Sequence, residues 1–194
     1  LDLGEQEQGK ADLETALETV TDIDFIAQIE VDLVNSDSLA VLEGDLFVVR
    51  DEALGFTIAY PTNWAPDPLV NLDDVDFAIQ NSVNPEAGYM NIVIIPDLPS
   101  GFNARILADA IGENLVDFPG YRGISLTFVQ IGDQASYVRE YELEFDGGGT
   151  LRGLQYYFVA NGNAYLLTFE AAEREFEAAR EEFELIVNTF ETLP

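Results

Sequence analysis

The 194-residue chain contains neither cysteine nor histidine. Zinc sites of the Cys/His type and Ser-His-Asp or Cys-His nucleophilic machinery are thereby excluded. No disulfide braces the fold, so thiol content says nothing about compartment. Lysine is almost missing as well: Lys10 stands alone beside Arg50, Arg105, Arg122, Arg139, Arg152, Arg174 and Arg180. No apolar run approaches the roughly 18 residues that a membrane-spanning helix needs. The sequence opens on Leu1 without a charged and apolar leader, so an export signal is expected to have been removed ahead of it.

Against those eight bases stand 37 acids, a formal net charge of −29. Such a field repels nucleic acid and anionic lipid headgroups. Charged residues nevertheless make up only 23% of the chain, an ordinary share, so the imbalance reflects missing lysine as much as added acid. Salty surroundings screen the repulsion, acidic ones neutralise it, and a cationic partner would use it. At 47% hydrophobic, with 13 Phe and 8 Tyr, the chain can bury a substantial core. That composition is not a disordered acidic tail.

Residues 1–12 are polar and read as a flexible leader. Leu13, Leu17 and Val20 have helical spacing, and "QIEVDLV" around Ile29 alternates as a strand does. Asn35-Ser-Asp-Ser is a break, so residues 1–45 are expected to extend a compact domain over 46–194. In that domain "LFVVR" and "GFTIAY" predict a hairpin, followed by strands at "VDFAIQNSV" and "YMNIVIIP". Residues 103–118 predict a helix with Ile106, Leu107, Ala110, Ile111 and Leu115 on its apolar stripe, stopped by Pro119-Gly120. Four more strands follow, joined at Gly132-Asp133, Asp146-Gly-Gly-Gly149 and Asn161-Gly162. In the second of them Glu140, Glu142 and Glu144 share one face, which is expected to see solvent. The end carries Phe176, Ala179, Phe183, Ile186, Val187 and Phe190 at helical spacing, an amphipathic helix docked on a sheet. Hairpin-linked strands with two helices spell an α+β fold, an antiparallel sheet of about six to eight strands flanked by helices.

The stretch Gly55–Trp64, "GFTIAYPTNW", holds the chain's one tryptophan. Pro61 lacks the N–H a ladder needs and biases Tyr60 to extended backbone, so it ends the strand. Trp64 is then expected to fold back over an end of the core, with Phe56, Tyr60 and Pro61 completing a structural motif.

Gly55, Phe56, Ile58, Tyr60, Pro61 and Trp64, with the closing pattern Tyr165, Leu167, Phe183, Ile186 and Phe190, resemble the PsbP-like superfamily over residues 46–194. That group includes the PsbP subunit of photosystem II, DcrB-type bacterial envelope proteins, a nuclear Ran-binding factor and adaptor chaperones for secreted effectors. The resemblance implies an α/β/α sandwich and a binding or accessory role, since fold alone carries no chemistry.

Candidate chemistry is sparse. Asp73, Asp74 and Asp76 sit within four residues, the oxygen-rich setting that Ca²⁺ requires, though without EF-hand spacing. Arg139 shares a strand face with Tyr137, Tyr141, Leu143 and Phe145, where it would bind an anion in a pocket or snorkel to the edge. Arg152 lies across the following turn and would join it. The glycine-rich turns lack the Lys and the strand-to-helix setting of a phosphate loop. No spacing selects a carboxylate pair for glycoside hydrolysis.

The sequence therefore reads as a non-enzymatic, extracytoplasmic accessory or ligand-binding domain of an envelope or surface assembly, with a protein partner. A lipid anchor ahead of Leu1 fits that reading, and no catalytic residue, metal or other cofactor is assigned. Two alternatives stand beside it: an adaptor chaperone holding an apolar segment, and a carboxylate-dependent hydrolase.

Overall fold

A computed structural model describes residues 38–67, 75–145 and 147–194. The helix and strand expected before Asn35 lie outside these residues. Ser38–Glu43, within the expected extension, forms strand β1 and pairs antiparallel with β2 (Leu46–Asp51). Next come β3 (Phe56–Pro61), β4 (Trp64–Pro66), β5 (Phe77–Asn81) and β6 (Tyr89–Ile95). Helix α1 (Ala104–Leu115) leads to β7 (Tyr121–Ile131), β8 (Gln134–Glu144), β9 (Thr150–Ala160) and β10 (Asn163–Ala172). Helix α2 (Phe176–Val187) and the short β11 (Glu191–Thr192) close the chain.

The strands form two antiparallel sheets, β1-β2-β3-β11 and β4-β5-β6-β10-β9-β8-β7. At the β9–β10 hairpin Asn161 and Gly162 both take positive φ, 54° and 81°, as a type I′ turn demands. The chain changes sheet between Pro61 and Trp64. Pro61 is the last residue of β3 in the smaller sheet, and Trp64 the first of β4 in the larger. The tryptophan is therefore a corner post between two sheets.

One face of the larger sheet meets the smaller sheet and α2. Phe47, Phe56, Ile58 and Tyr60 pack there with Phe77, Phe158, Phe169 and Tyr165, while α2 contributes Phe176, Phe183, Ile186 and Val187. All of these side chains are buried. This is the main core.

The opposite, outer face carries α1 over a second and smaller cluster: Ala104, Leu107, Ala108, Tyr157, Ala164 and Leu166. Helices on both faces make an α/β/α sandwich. Asn103 caps α1, its side-chain oxygen accepting from the backbone N–H of Arg105 and Ile106 at 3.0 and 3.1 Å.

Two expectations fail in detail. The buried stripe of α1 is Ala104, Leu107, Ala108 and Gly112, while Ile106 is exposed. Small residues at every fourth position let the helix settle close to the sheet, and close approach outweighs the larger but misplaced Ile106. Of the β8 glutamates, Glu144 is exposed as expected, but Glu140 and Glu142 do not face open solvent. The side chains of Glu140 and Glu142 are only 15% and 14% exposed. Glu140 Oε1 accepts from Arg152 Nε at 2.9 Å and Arg180 Nη2 at 3.2 Å, and Glu142 pairs with Arg122. This face turns toward α2, so its acids are matched by arginines rather than by water.

Candidate functional site

The register places side chains of the outer face in rows. Phe128, Tyr137, Tyr157, Leu166 and Val93 form one row, to which α1 is adjacent. The next contains Leu126, Arg139, Gln155, Thr168 and Asn91, and the one after it Gly123, Tyr141, Gly153, Glu170 and Tyr89. These last two rows change from apolar to polar as the sheet runs out from under the helix.

Arg139 anchors the boundary. Its Nη2 donates to the Ala108 carbonyl at 2.6 Å and its Nε to the Tyr157 hydroxyl at 2.9 Å. The Tyr157 hydroxyl in turn donates to Gln155 Oε1 at 2.6 Å, and Gln155 Nε2 to Thr168 Oγ1 at 3.0 Å. Arg139 thus ties α1 to the sheet, with its donors aimed at a carbonyl and a phenol. A guanidinium so engaged is a strut.

Arg152 does not join it. It belongs to the inner face, where its guanidinium lies 4.6 Å from the Phe176 ring centre and its Nη1 donates to Glu177 at 2.8 Å. Arg180 sits over the same ring at 5.0 Å. All seven arginines are engaged with an acid, or with a carbonyl and phenol, so no cationic pocket for an anion arises from them.

Of the aspartates expected to suit Ca²⁺, Asp73 and Asp74 lie outside the described residues. Asp76 Oδ2 accepts from the Ile94 backbone N–H at 2.6 Å, fastening the start of β5 to β6. Among the described residues no group of three or more acids could hold a metal ion. Trp64 and Phe56 are buried in the main core, as is Tyr60, while Pro61 is half-buried.

What the sequence did not reveal is the pair at the centre of the polar rows. Tyr141 lies across Gly153, its direct partner on β9, and no side chain larger than hydrogen fits beneath that ring. So placed, its hydroxyl donates to Glu170 Oε1 at 2.6 Å. Tyr121 covers Tyr141, ring centres 5.6 Å apart. Beside this pair opens a cleft of about 640 Å³ whose walls include Tyr89, Phe145, Leu151, Glu170, Ala172 and Arg174. Two signals were present in the sequence: a glycine inside a long strand, and one acid closing the apolar run "AYLLTFE".

Burial raises the Glu170 carboxyl above its ordinary value of 4.5, and the Tyr141 hydrogen bond offsets this in part. Burial and the neighbouring Glu170 charge together push the Tyr141 phenol upward. The folded protein therefore holds a proton on Glu170 more readily than the unfolded chain does. That contribution to stability is fully present below about pH 4.5 and is lost as pH rises through the raised folded-state value. Glu170→Gln keeps an acceptor for Tyr141 without the charge. It is expected to match the wild type near pH 4 and to be more stable near pH 7, as read from urea midpoints. An equal difference at both pH values would show that the carboxyl is not strained by burial.

No protein-family model and no curated protein matches this sequence. Solved structures do match the fold. The solution structure of cyanobacterial PsbP (CyanoP) from Synechocystis sp. PCC 6803 aligns with a TM-score of 0.58 and 15% identity, over 78% of this chain and 95% of that one. LpqN of Mycobacterium tuberculosis, described as involved in cell envelope biogenesis, aligns at 0.52 and 17%, over 81% and 91%. The Ran-binding protein Mog1p of Saccharomyces cerevisiae aligns at 0.52 and 9%, over 72% and 90%.

Proposed function

From a PsbP-like fold, we propose that this chain is a non-enzymatic, extracytoplasmic accessory or binding domain of an envelope or surface assembly. It engages a protein partner through the cleft beside Glu170. The observation that carries this reading is the incomplete cover at this end of the sheet: the main core is closed and Tyr141 is buried, whereas Glu170, which Tyr141 holds, lines an open cleft. Tyr89, Phe145 and Leu151 offer apolar contact there, and Glu170 adds a carboxyl held in place by the Tyr141 hydroxyl. Aromatic walls with a single desolvated polar group are the usual furniture of a binding cleft. The description of LpqN, a protein of the same fold, supports an envelope setting.

The reading is tested in the source cells with the full chain carrying a photo-crosslinking phenylalanine at Phe145, on the lip of the cleft. A discrete adduct is expected in the envelope or secreted fraction, and Leu151→Arg is expected to abolish it without unfolding the domain. Recovery of the protein from the cytosol alone would overturn the setting. An adduct indifferent to Leu151→Arg would overturn the cleft.

A further inference from the structure

The two edges of the larger sheet are unlike. At one end β4 is three residues long and finishes in Pro66, a short edge that resists pairing. At the other end β7 runs for eleven residues and, among the described residues, pairs only with β8. Among the described residues its outer row of backbone groups has no ladder. Most of its side chains are exposed, including Phe128 at 55% and Ile124 at 41%. The stretch Leu126–Ile131, "LTFVQI", contains no charge, no proline and no glycine. The devices against pairing, the register shift between Gly123 and Ser125 and the charge of Arg122, both sit at one end.

Charge says where a neighbour can come. In a chain of net −29, no acid lies between Asp117 and Asp133, and Arg122 stands near the start of β7. The strand is a neutral corridor through an anionic surface.

We propose that β7 is a self-association edge, on which the β7 of a second copy adds antiparallel to join two seven-stranded sheets. The pairing is self-complementary. A two-fold axis normal to the sheet keeps outer face with outer face only when residues of matching orientation pair. Centred on Thr127, it sets Phe128 of each copy against Leu126 of the other on the outer face, and Val129 against Ser125 on the inner one. The same arrangement carries each Arg122 toward the Ile131–Asp133 end of its neighbour, where opposite charges meet. The rest of the surface opposes the union. Association is therefore weak where the Debye length is about 8 Å, near 0.15 M salt, and stronger near 1 M, where it is about 3 Å. This inference is independent of the cleft.

Sedimentation velocity on the full chain over a wide concentration range tests it. A reversible monomer–dimer equilibrium that tightens by about tenfold or more between 0.15 M and 1 M NaCl is expected. Phe128→Lys and Thr127→Lys place like charges across the two-fold and are expected to weaken the dimer by about tenfold or more at fixed salt. Leu185→Lys, on exposed α2 surface, is expected to leave it unchanged; circular dichroism confirms that each variant is folded. Hydrogen exchange is expected to protect alternate β7 amides only at dimer-forming concentrations. A monomer at every concentration in 1 M NaCl would overturn the proposal. So would a dimer indifferent to both lysines, or β7 amides already protected in the dilute monomer.

Discussion

Replacing Phe183 by alanine is expected to lower the free energy of unfolding by about 3–5 kcal/mol, the range for removing a buried phenylalanine. The ring is fully buried and occupies the junction of three aromatic neighbours. Its centre lies 5.2 Å from Phe169, 6.1 Å from Trp64 and 6.2 Å from Phe176. One of these partners is on β10, one on β4 and one on α2 itself, so no single element can move to fill the space. Collapse is the only route to a smaller penalty, and here collapse would have to draw both α2 and the sheet inward. Urea denaturation with an unchanged m-value reads the effect. A shift below about 1 kcal/mol would mean that α2 does not pin the core.

Trp64→Ala is expected to cost a similar amount, about 3–5 kcal/mol, by a route that includes a polar loss. The indole is fully buried. Its Nε1 donates to Glu182 Oε2 at 2.7 Å, and the other oxygen of that carboxylate accepts from Asn63 Nδ2 at 3.3 Å. One acid of α2 thus holds both the corner turn and the corner post. Trp64→Phe separates the two contributions, keeping most of the aromatic burial and losing the charge-assisted bond, for a smaller cost of about 1.5–3 kcal/mol. Emission from the lone tryptophan checks the native state independently. It is expected to be shielded from acrylamide, a neutral quencher that the anionic surface does not repel. Ready quenching, with stability spared by Trp64→Ala, would make this a surface residue. Since Trp64 and Phe183 touch, the double variant is expected to lose less than the two single losses combined.

Strand positions were legible wherever turn chemistry bracketed an alternating run. Asn161-Gly162 and the Pro61 stop are local events, set by φ preferences and a missing N–H, and local events can be read from local sequence. The orientation of a helix on a sheet is not local. Ile106 belongs to a plausible apolar stripe, yet the surface beneath α1 is shaped by Tyr157 and Arg139, which come from strands far along the chain. The same holds for Glu140 and Glu142. Alternation showed that they share a face, but the basic partners arrive from β7, β9 and α2. The Tyr141–Glu170 pair was hidden for this reason too: it depends on Gly153 lying opposite Tyr141, a matter of register. Register also separates Arg139 from Arg152, whose nearness across a turn in sequence becomes opposite faces of the sheet.

The two clusters of buried side chains share the larger sheet as a wall but not their contents. The main one joins both sheets and α2, whereas the one under α1 has, among the described residues, six buried members and is tied down by the Arg139 bond to the Ala108 carbonyl. Opening α1 exposes little apolar surface and leaves the larger cluster whole, so the free energy of that excursion is a fraction of global unfolding. The molecule is accordingly expected to open in two units of unequal depth. The shallower one borders the polar rows, and its departure would lengthen the accessible sheet face by two further rows, Tyr137 to Val93 and Val159 to Ile95, without the rest of the protein losing its form.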